Sequence, residues 1–232
     1  MDAPADSSNT QKTVLAIDLG GSHVKVLLST GGEKRAMVSG PDMSPDRMVK
    51  AVKEMAKGLE FDVIGMGYPG PIENNRPSLD PHNLAPGWKD YDFEKAFGKP
   101  LKLVNDALMQ AIGSYEGGRM LFLGLGTGLG AAMVVDKVCL PMELAHLPYK
   151  KKQTFEDYVG LRGLEAHGKA KWRKSVADVA ARLKAALQPD YIVIGGGNVD
   201  KIKDLPEDCR RGDNENAFKG GFRIWQDPEL KL

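Results

Sequence analysis

The sequence predicts an α/β protein of duplicated architecture, two lobes with a central cleft. The run LAIDLGGSHVKVLL, Leu15 to Leu28, sets a glycine turn between two apolar, β-branched segments. MLFLGLGTGLGAAMVV, Met120 to Val135, repeats that strand–turn–strand pattern. Each unit is followed by segments of helical period and a further short apolar strand. A chain of 232 residues, 42% of them hydrophobic, has core enough for one large or two modest domains, at about 100–200 residues each.

Taken in order, residues 1–12 are polar and expected to be disordered. Strands are expected at 13–18, 23–29 and 34–38. Ser44 to Leu59 reads as a helix, with Ser44 as N-cap, Pro45 in the first turn and Met48, Val52, Met55, Ala56 and Leu59 on one face. Asp62 to Ile72 is a short strand entering a turn-rich loop, and residues 73–92 form a long Pro-, Asn- and Asp-rich loop of the kind that carries function. A strand at 101–104 leads into a helix at about 106–116. FEDYVGLRGLEAHG and KSVADVAARLKAAL read as two helices. YIVIGGGNV is a buried strand ending in three glycines, and NENAFKGGFRIW is a last helix weakened by Gly220 and Gly221.

Bulk properties narrow the function. The formal net charge of +1 gives no general case for a nucleic-acid or membrane-surface partner. Cys139 and Cys209 lack CxxC spacing, the N-terminus has no apolar signal core, and no stretch approaches the ~20 apolar residues of a spanning helix. A soluble cytoplasmic protein is expected.

Either glycine turn alone is an ordinary hairpin. GLGTGLG is not a dinucleotide fingerprint, because Leu129 takes the last glycine position counted from Gly124 and a strand follows. Two glycine hairpins between buried strands are more telling, since bare glycines let backbone N–H groups approach phosphate oxygens. Asp18, Ser22 and Thr127 add a carboxylate able to face Mg²⁺ and two hydroxyls. Asp106, after Asn105 at a strand–helix junction, is either a helix cap or a general base for a substrate hydroxyl. Glu143 and His146, in ELAH, would share one face of a helical turn, as a surface pair or as ligands for sugar hydroxyls. Their spacing does not suit a metal. YKKKQ, Tyr149 to Gln153, is a solvated turn or faces a polyanion.

In this order the motifs resemble one family. LAIDLGGSHVKV, GMGYPGPI, NLAPGW, VNDA, LGLGTGLGAAMV, ELAHLPY, FEDY, PDYIVIGGGN and DNENAFKGGFRIW are similar to segments of the ROK sugar kinases, of the actin-like ATPase (ribonuclease H-like) fold, and most closely their polyphosphate glucokinase branch. The resemblance spans Leu15 to Trp225. It implies an N-terminal lobe of residues 13–106, a C-terminal lobe of residues 107–213, and a final helix at about 214–226 that packs back on the first lobe. It implies transfer of a phosphoryl group from polyphosphate or ATP to the 6-hydroxyl of glucose or a related hexose, with Mg²⁺, in a homodimer; the alternatives are a kinase for another hexose or an N-acetylhexosamine, and a non-catalytic sugar-binding regulator. Asp106 would be the base. Gly70, Asn83, Asn105, Glu143, His146 and Glu156 would bind sugar. Asp18, Gly20, Gly21, Ser22, Lys25, Gly126, Thr127 and Gly128 would hold donor phosphates, with Asp18 also toward Mg²⁺, and Gly195, Gly196 and Gly197 would form the adenosine-side loop.

Three features depart from the family pattern. Ala145 replaces a glycine. The zinc-binding Cys-x-Cys-Gly run is missing from the nine residues between His146 and Glu156, so no structural zinc is expected. His23 in the first hairpin has no evident role. Basic residues after Gly197 (Lys201, Lys203, Arg210, Arg211, Lys219 and Arg223) together with YKKKQ favour a polyanionic donor.

Overall fold

β1 (Val14–Leu19) is buried along its length except at Asp18, as befits a strand covered on both faces. It pairs antiparallel with β2 (His23–Leu28), which pairs antiparallel with β3 (Arg35–Val38). α1 (Pro45–Met55) starts where the Ser44 side chain accepts a hydrogen bond from Arg47 N–H, and carries the chain to β4 (Val63–Tyr68), parallel to β1. A small hairpin, β5 (Ile72–Glu73) and β6 (Arg76–Pro77), and the short α2 (Phe93–Phe97) precede β7 (Leu101–Asn105), parallel to β4. The computed structural model describes residues 12–232, so the expected disorder of residues 1–12 falls, but for Lys12, outside the described residues.

The second half repeats the first. After α3 (Asp106–Ser114), β8 (Arg119–Leu125), β9 (Leu129–Val135) and β10 (Val138–Met142) form an antiparallel meander. α4 (Phe155–Val159) and α5 (Leu161–Leu187) lead to β11 (Tyr191–Gly195), parallel to β8, and β12 (Cys209–Arg211), parallel to β11. The sheet orders are β3-β2-β1-β4-β7 and β10-β9-β8-β11-β12, strand for strand the same topology. The duplication expected from two glycine turns is therefore a duplication of whole sheets. No helix among the described residues is long and apolar enough to cross a membrane.

Two local expectations change. FEDYVGLRGLEAHG is not one helix: the chain is extended at Gly160 (φ −74°, ψ −176°), where a Cβ would come within 2.9 Å of the Thr127 carbonyl oxygen. α5 then runs on to Leu187 with a kink at Gly168 (φ 73°), the residue at which the first of the two expected helices ends, so the break at Gly160 is the added one. ELAH is a turn, not a helical turn, closed by Leu147 N–H donating to Leu144 O at 3.2 Å.

α6 (Asn216–Gln226) returns to the first lobe and packs on β1 and β4 as well as on α3. Its glycines explain how. A Cβ on Gly220 would lie 1.8 Å from Met109 O, and one on Gly113 of α3 would lie 1.8 Å from Asn216 O. Likewise a Cβ on Gly65 of β4 would lie 2.1 Å from Gly221 O. The two helices and β4 thus meet main chain to main chain. Around them Ala107, Met109, Ile112, Phe122, Ala217 and Ile224 form a core between the sheets, separate from the cores on their outer faces.

This packing reverses the usual sign of a glycine substitution. By helix propensity alone Gly220→Ala would stabilise by about 1 kcal/mol. The contact with Met109 O makes it overpacked instead, with an expected loss of about 1–3 kcal/mol in denaturant unfolding. Lys219→Ala, on the exposed face of α6, stays within about 0.5 kcal/mol. A stabilised Gly220→Ala protein would contradict the packing account.

Candidate active site

The first glycine turn joins β1 to β2 through Gly20–His23, closed by Gly20 N–H donating to His23 O at 2.9 Å. Gly20 and Gly21 are outside the left-handed region, so the turn does not need glycine for its backbone angles. A Cβ on Gly20 would come within 3.3 Å of the His23 carbonyl oxygen, whereas one on Gly21 would make only ordinary contact with Asn83 Cβ at 3.4 Å. The end of β3 holds the turn, since Ser39 Oγ–H donates to Gly20 O at 2.7 Å and Ser39 N–H to Ser22 O at 2.9 Å. His23 contributes its carbonyl to the turn and leaves its side chain exposed. Behind the turn, Asp18 and Lys25 are register partners with Nζ 3.4 Å from Oδ2. Burial raises the Asp18 pKa, Lys25 opposes that rise, and Glu215 adds to it.

Asn83 reaches this turn from a loop tied by Asp80. The Asp80 carboxylate accepts from Trp88 N–H at 2.7 Å, Lys89 N–H at 2.8 Å and Gly87 N–H at 3.2 Å. Those backbone donors hold its pKa below the ordinary carboxylate value.

The second turn, Gly126–Gly128, closes the Leu125–Leu129 pair of β8 and β9. The loop after β11 braces it. Asn198, buried, donates from Nδ2 to Gly126 O at 2.9 Å and from its backbone N–H to Leu125 O at 2.9 Å. Gly196, at φ 82°, lies so close that a Cβ would be 2.6 Å from Leu125 N. Gly195 is buried against the Phe122 ring, which leaves Gly197 as the exposed glycine of the three. Opposite them the Glu156 carboxylate occupies the space over Gly128, with Oε2 2.2 Å from where a Cβ would stand, and accepts from Leu129 N–H at 3.4 Å.

Asp106 stands between these turns at the start of α3. The cap reading of the Asn-Asp pair falls on Asn105. Asn105 is the cap: its Oδ1 accepts from Ala107 N–H at 2.9 Å and Leu108 N–H at 3.2 Å, while Nδ2 donates to Gly70 O at 3.2 Å. Asp106 accepts from Ala107 N–H at 2.8 Å through Oδ1, and among the described residues its Oδ2 has no hydrogen-bond donor. Desolvation first, and then the charges of Asp18 and Glu143, raise its pKa to about 7 against the opposing hydrogen bond from Ala107. A carboxylate with that pKa is poised to accept a proton near neutral pH.

Glu143, whose charge bears on Asp106, and His146 stand on an exposed turn. The turn is fixed to α4 by Glu156 N–H donating to Ala145 O at 3.0 Å and Phe155 N–H to Leu147 O at 3.0 Å. Ala145 is accommodated without strain: its methyl is buried in the core under α5, and its φ is negative. The Tyr149 ring packs edge-on against Phe155 and Tyr158, and its hydroxyl donates to Asp178 of α5.

The basic residues after Gly197 do not form a free polycation. Arg211 donates to Val199 O and Ile202 O at 2.6 Å, and Arg223 to Ile112 O at 2.8 Å and Tyr115 O at 2.9 Å. Arg210 pairs with Glu116 and stacks on Tyr191, and Lys201 bonds Asn198. Lys150 pairs with Asp178 at 3.1 Å. Lys203, Lys219, Lys151 and Lys152 are exposed. The ordinary structural reading holds for most of them. Ser39 carries no motif of its own, and Asn198 ends the PDYIVIGGGN segment, where the sequence assigns it no role.

Two sheets of one topology, each carrying a glycine hairpin, with α3 and Asp106 at its start packed between them, define a duplicated two-lobed α/β class. The ROK family model matches residues 14–140, more than half of the chain, and the protein belongs to that family. A polyphosphate glucokinase of Mycobacterium tuberculosis is 25% identical over 210 residues, covering 82% of this chain and 79% of that protein. A putative fructokinase of Bacillus subtilis is 23% identical over 229 residues, covering 78% of this chain and 76% of that one. The crystal structure of an inorganic polyphosphate/ATP-glucomannokinase from Arthrobacter sp. strain KM superposes with a TM-score of 0.78 at 21% identity, covering 92% of this chain and 98% of that chain. The fold is that of the ROK sugar kinases, the actin-like ATPase fold.

The Asp106 environment makes a signed prediction for the ligand-free protein. A folded-state pKa near 7, above the ordinary 3.8, means that Asp106 favours folding fully at pH values below its unfolded pKa. That contribution is lost as the pH rises through about 7. Asp106→Asn cannot ionise. Its melting temperature relative to wild type should therefore climb between pH 4 and pH 8. A difference that stays flat across this range would show that the carboxyl titrates normally.

Proposed function

We propose that the protein is a hexose kinase that transfers a phosphoryl group from polyphosphate or ATP to the 6-hydroxyl of glucose. The observation that carries the reading is Asp106, with one open carboxylate oxygen and a pKa raised to about 7, set between two glycine hairpins. The family membership and the names borne by similar proteins support the same chemistry.

In this reading the sugar lies among Asn105, Asp106, Glu143, His146 and Glu156, with Gly70 and Asn83 on the side of the first lobe. Oδ2 of Asp106 takes the proton of the sugar 6-hydroxyl as the hydroxyl oxygen attacks the terminal phosphorus, while the bond from that phosphorus to the bridging oxygen breaks and the shortened polyphosphate or ADP leaves. The bare turns at Gly20–Ser22 and Gly126–Gly128 offer backbone N–H groups to the phosphates, with Lys25 and the Thr127 hydroxyl as added donors. Positioning and charge stabilisation contribute most of the acceleration, and the base contributes ~10²–10⁴-fold.

Mg²⁺ fits the donor set. It binds through one or two carboxylates and keeps water and phosphate ligands. Asp18 is held in a partly buried position near Asp106, and among the described residues no group of three or more His, Cys, Asp or Glu is arranged to hold a metal alone. Asp18 would hold the ion, which would neutralise charge on the donor phosphates. The similarity to a putative fructokinase keeps a second hexose in view, and a panel of hexoses as acceptors discriminates the two.

Asp106→Asn keeps the size of the side chain and removes the proton acceptor. Glucose binding by calorimetry should survive while kcat falls at least ~10²-fold. Glu156→Gln should instead raise KM for the sugar roughly tenfold or more, since a hydrogen bond to a charged group is worth ~1.5–3 kcal/mol. Normal turnover by the Asp106→Asn protein with any phosphate donor would remove Asp106 from the role of base.

A further inference from the structure

Resting on the kinase reading, we propose that Arg162 is a donor-phosphate ligand at the second glycine turn, and the counter-ion that lets a phosphate lie beside Glu156. The starting point is a conflict of charge. Glu156 Oε2 overlies Gly128, 2.2 Å from where a Cβ would stand, and accepts from Leu129 N–H at 3.4 Å. The kinase reading sets donor phosphates on this same turn. A carboxylate and a phosphate on one turn repel each other, the more so where water is partly excluded. A cation bonded to Glu156 and reaching the phosphate removes the conflict.

The geometry supplies that cation. Arg162 Nη2 lies 3.0 Å from Glu156 Oε1 and 3.3 Å from Asp157 Oδ1. The start of α5 brings its backbone to the turn: Leu161 N–H donates to Thr127 O at 3.1 Å, and a Cβ on Gly160 would meet Gly128 Cα at 3.3 Å. The guanidinium thus stands one carboxylate away from Gly128, on an element that main-chain contacts tie to the same turn. Asp157 is engaged in the cap of α4, its Oδ2 accepting from Thr154 N–H and Oγ–H at 2.9 Å. Among the described residues, Nε and Nη1 of Arg162 have no hydrogen-bond partner. The Arg162 side chain is 68% exposed against 24% for Glu156, so the unused part of the fork is open to a ligand. A guanidinium holds its donors in one plane and matches carboxylate and phosphate oxygens alike. Holding Glu156 through Nη2 leaves Nε and Nη1 for a phosphate oxygen. An exposed pair of this kind adds little to stability, so its removal is separable from unfolding.

Calorimetry on the full chain tests this. The probes are two non-transferable donors with Mg²⁺, imidotriphosphate and AMPPNP, and separately glucose. Arg162→Gln should weaken both donors roughly tenfold, as for lost hydrogen bonds to a charged group, and leave glucose affinity within about threefold. Arg162→Lys should recover part of the donor affinity, because it keeps the charge without the fork. Glu156→Gln should act in the opposite sense, binding donor at least as tightly as wild type while losing glucose affinity, because the repelling carboxylate is gone. Unchanged donor affinity in Arg162→Gln would overturn the assignment, and so would a loss confined to glucose, which is the behaviour of a prop for Glu156. Donor binding weakened as much by Glu156→Gln as by Arg162→Gln would overturn it too, since the two residues would then act as one clasp. Wild-type protein that binds neither donor would instead remove the kinase reading itself, and the assignment with it.

Discussion

Gly113 and Gly220 meet main chain to main chain where α3 and α6 pack together, and the geometry of the cleft depends on that contact. α3 leaves the first sheet at β7 and lies against the second, with a Cβ on Gly130 of β9 falling only 2.9 Å from Ala107 Cβ. α6 leaves the second sheet and lies against the first at Ala16 and Gly65. The pair joins the two halves, and Asp106 is the first residue of one of its members. Larger residues at Gly113 or Gly220 would separate the helices and move Asp106 away from the hairpins.

The same arrangement explains the electrostatics. Capping of α3 is done by Asn105, which frees Asp106 from that duty. Packing of α3 between the sheets then desolvates Asp106 and brings it near Asp18 from the first lobe and Glu143 from the second. Two groups with raised pKa values, one opposed by a lysine and one with an open oxygen, follow from the topology and not from a special local motif.

Much of this was legible in the sequence because it depends on local chemistry. The strand–glycine–strand units, the Ser44 cap and the Asn105–Asp106 junction each announce themselves within a few residues. The long-range features were not legible. Gly220 and Gly221 read as helix weakeners because their reason lies on α3, β1 and β4. Ser39 and Asn198 pin the two hairpins from distant segments, and although Asn198 ends the PDYIVIGGGN segment, nothing local shows that it bonds Gly126. The arginines after Gly197 read as favouring a polyanionic donor because their partners, carbonyl oxygens for Arg211 and Arg223 and the Glu116 carboxylate for Arg210, are not placed by a sequence. ELAH read as a helical turn because the bonds that fix it come from α4. The helix ending at Gly160 was hidden for the same reason: the carbonyl it must avoid belongs to Thr127, on another element.

The central claim is that one carboxylate, set between two duplicated hairpins, receives the hydroxyl that is phosphorylated. A crystal structure of the complete chain with glucose and a non-transferable donor analogue tests it directly. The account predicts the sugar 6-hydroxyl within hydrogen-bond distance of Asp106 Oδ2, and the terminal phosphate facing the turns at Gly20–Ser22 and Gly126–Gly128. Sugar bound away from Asp106, or phosphates bound away from both turns, would contradict it.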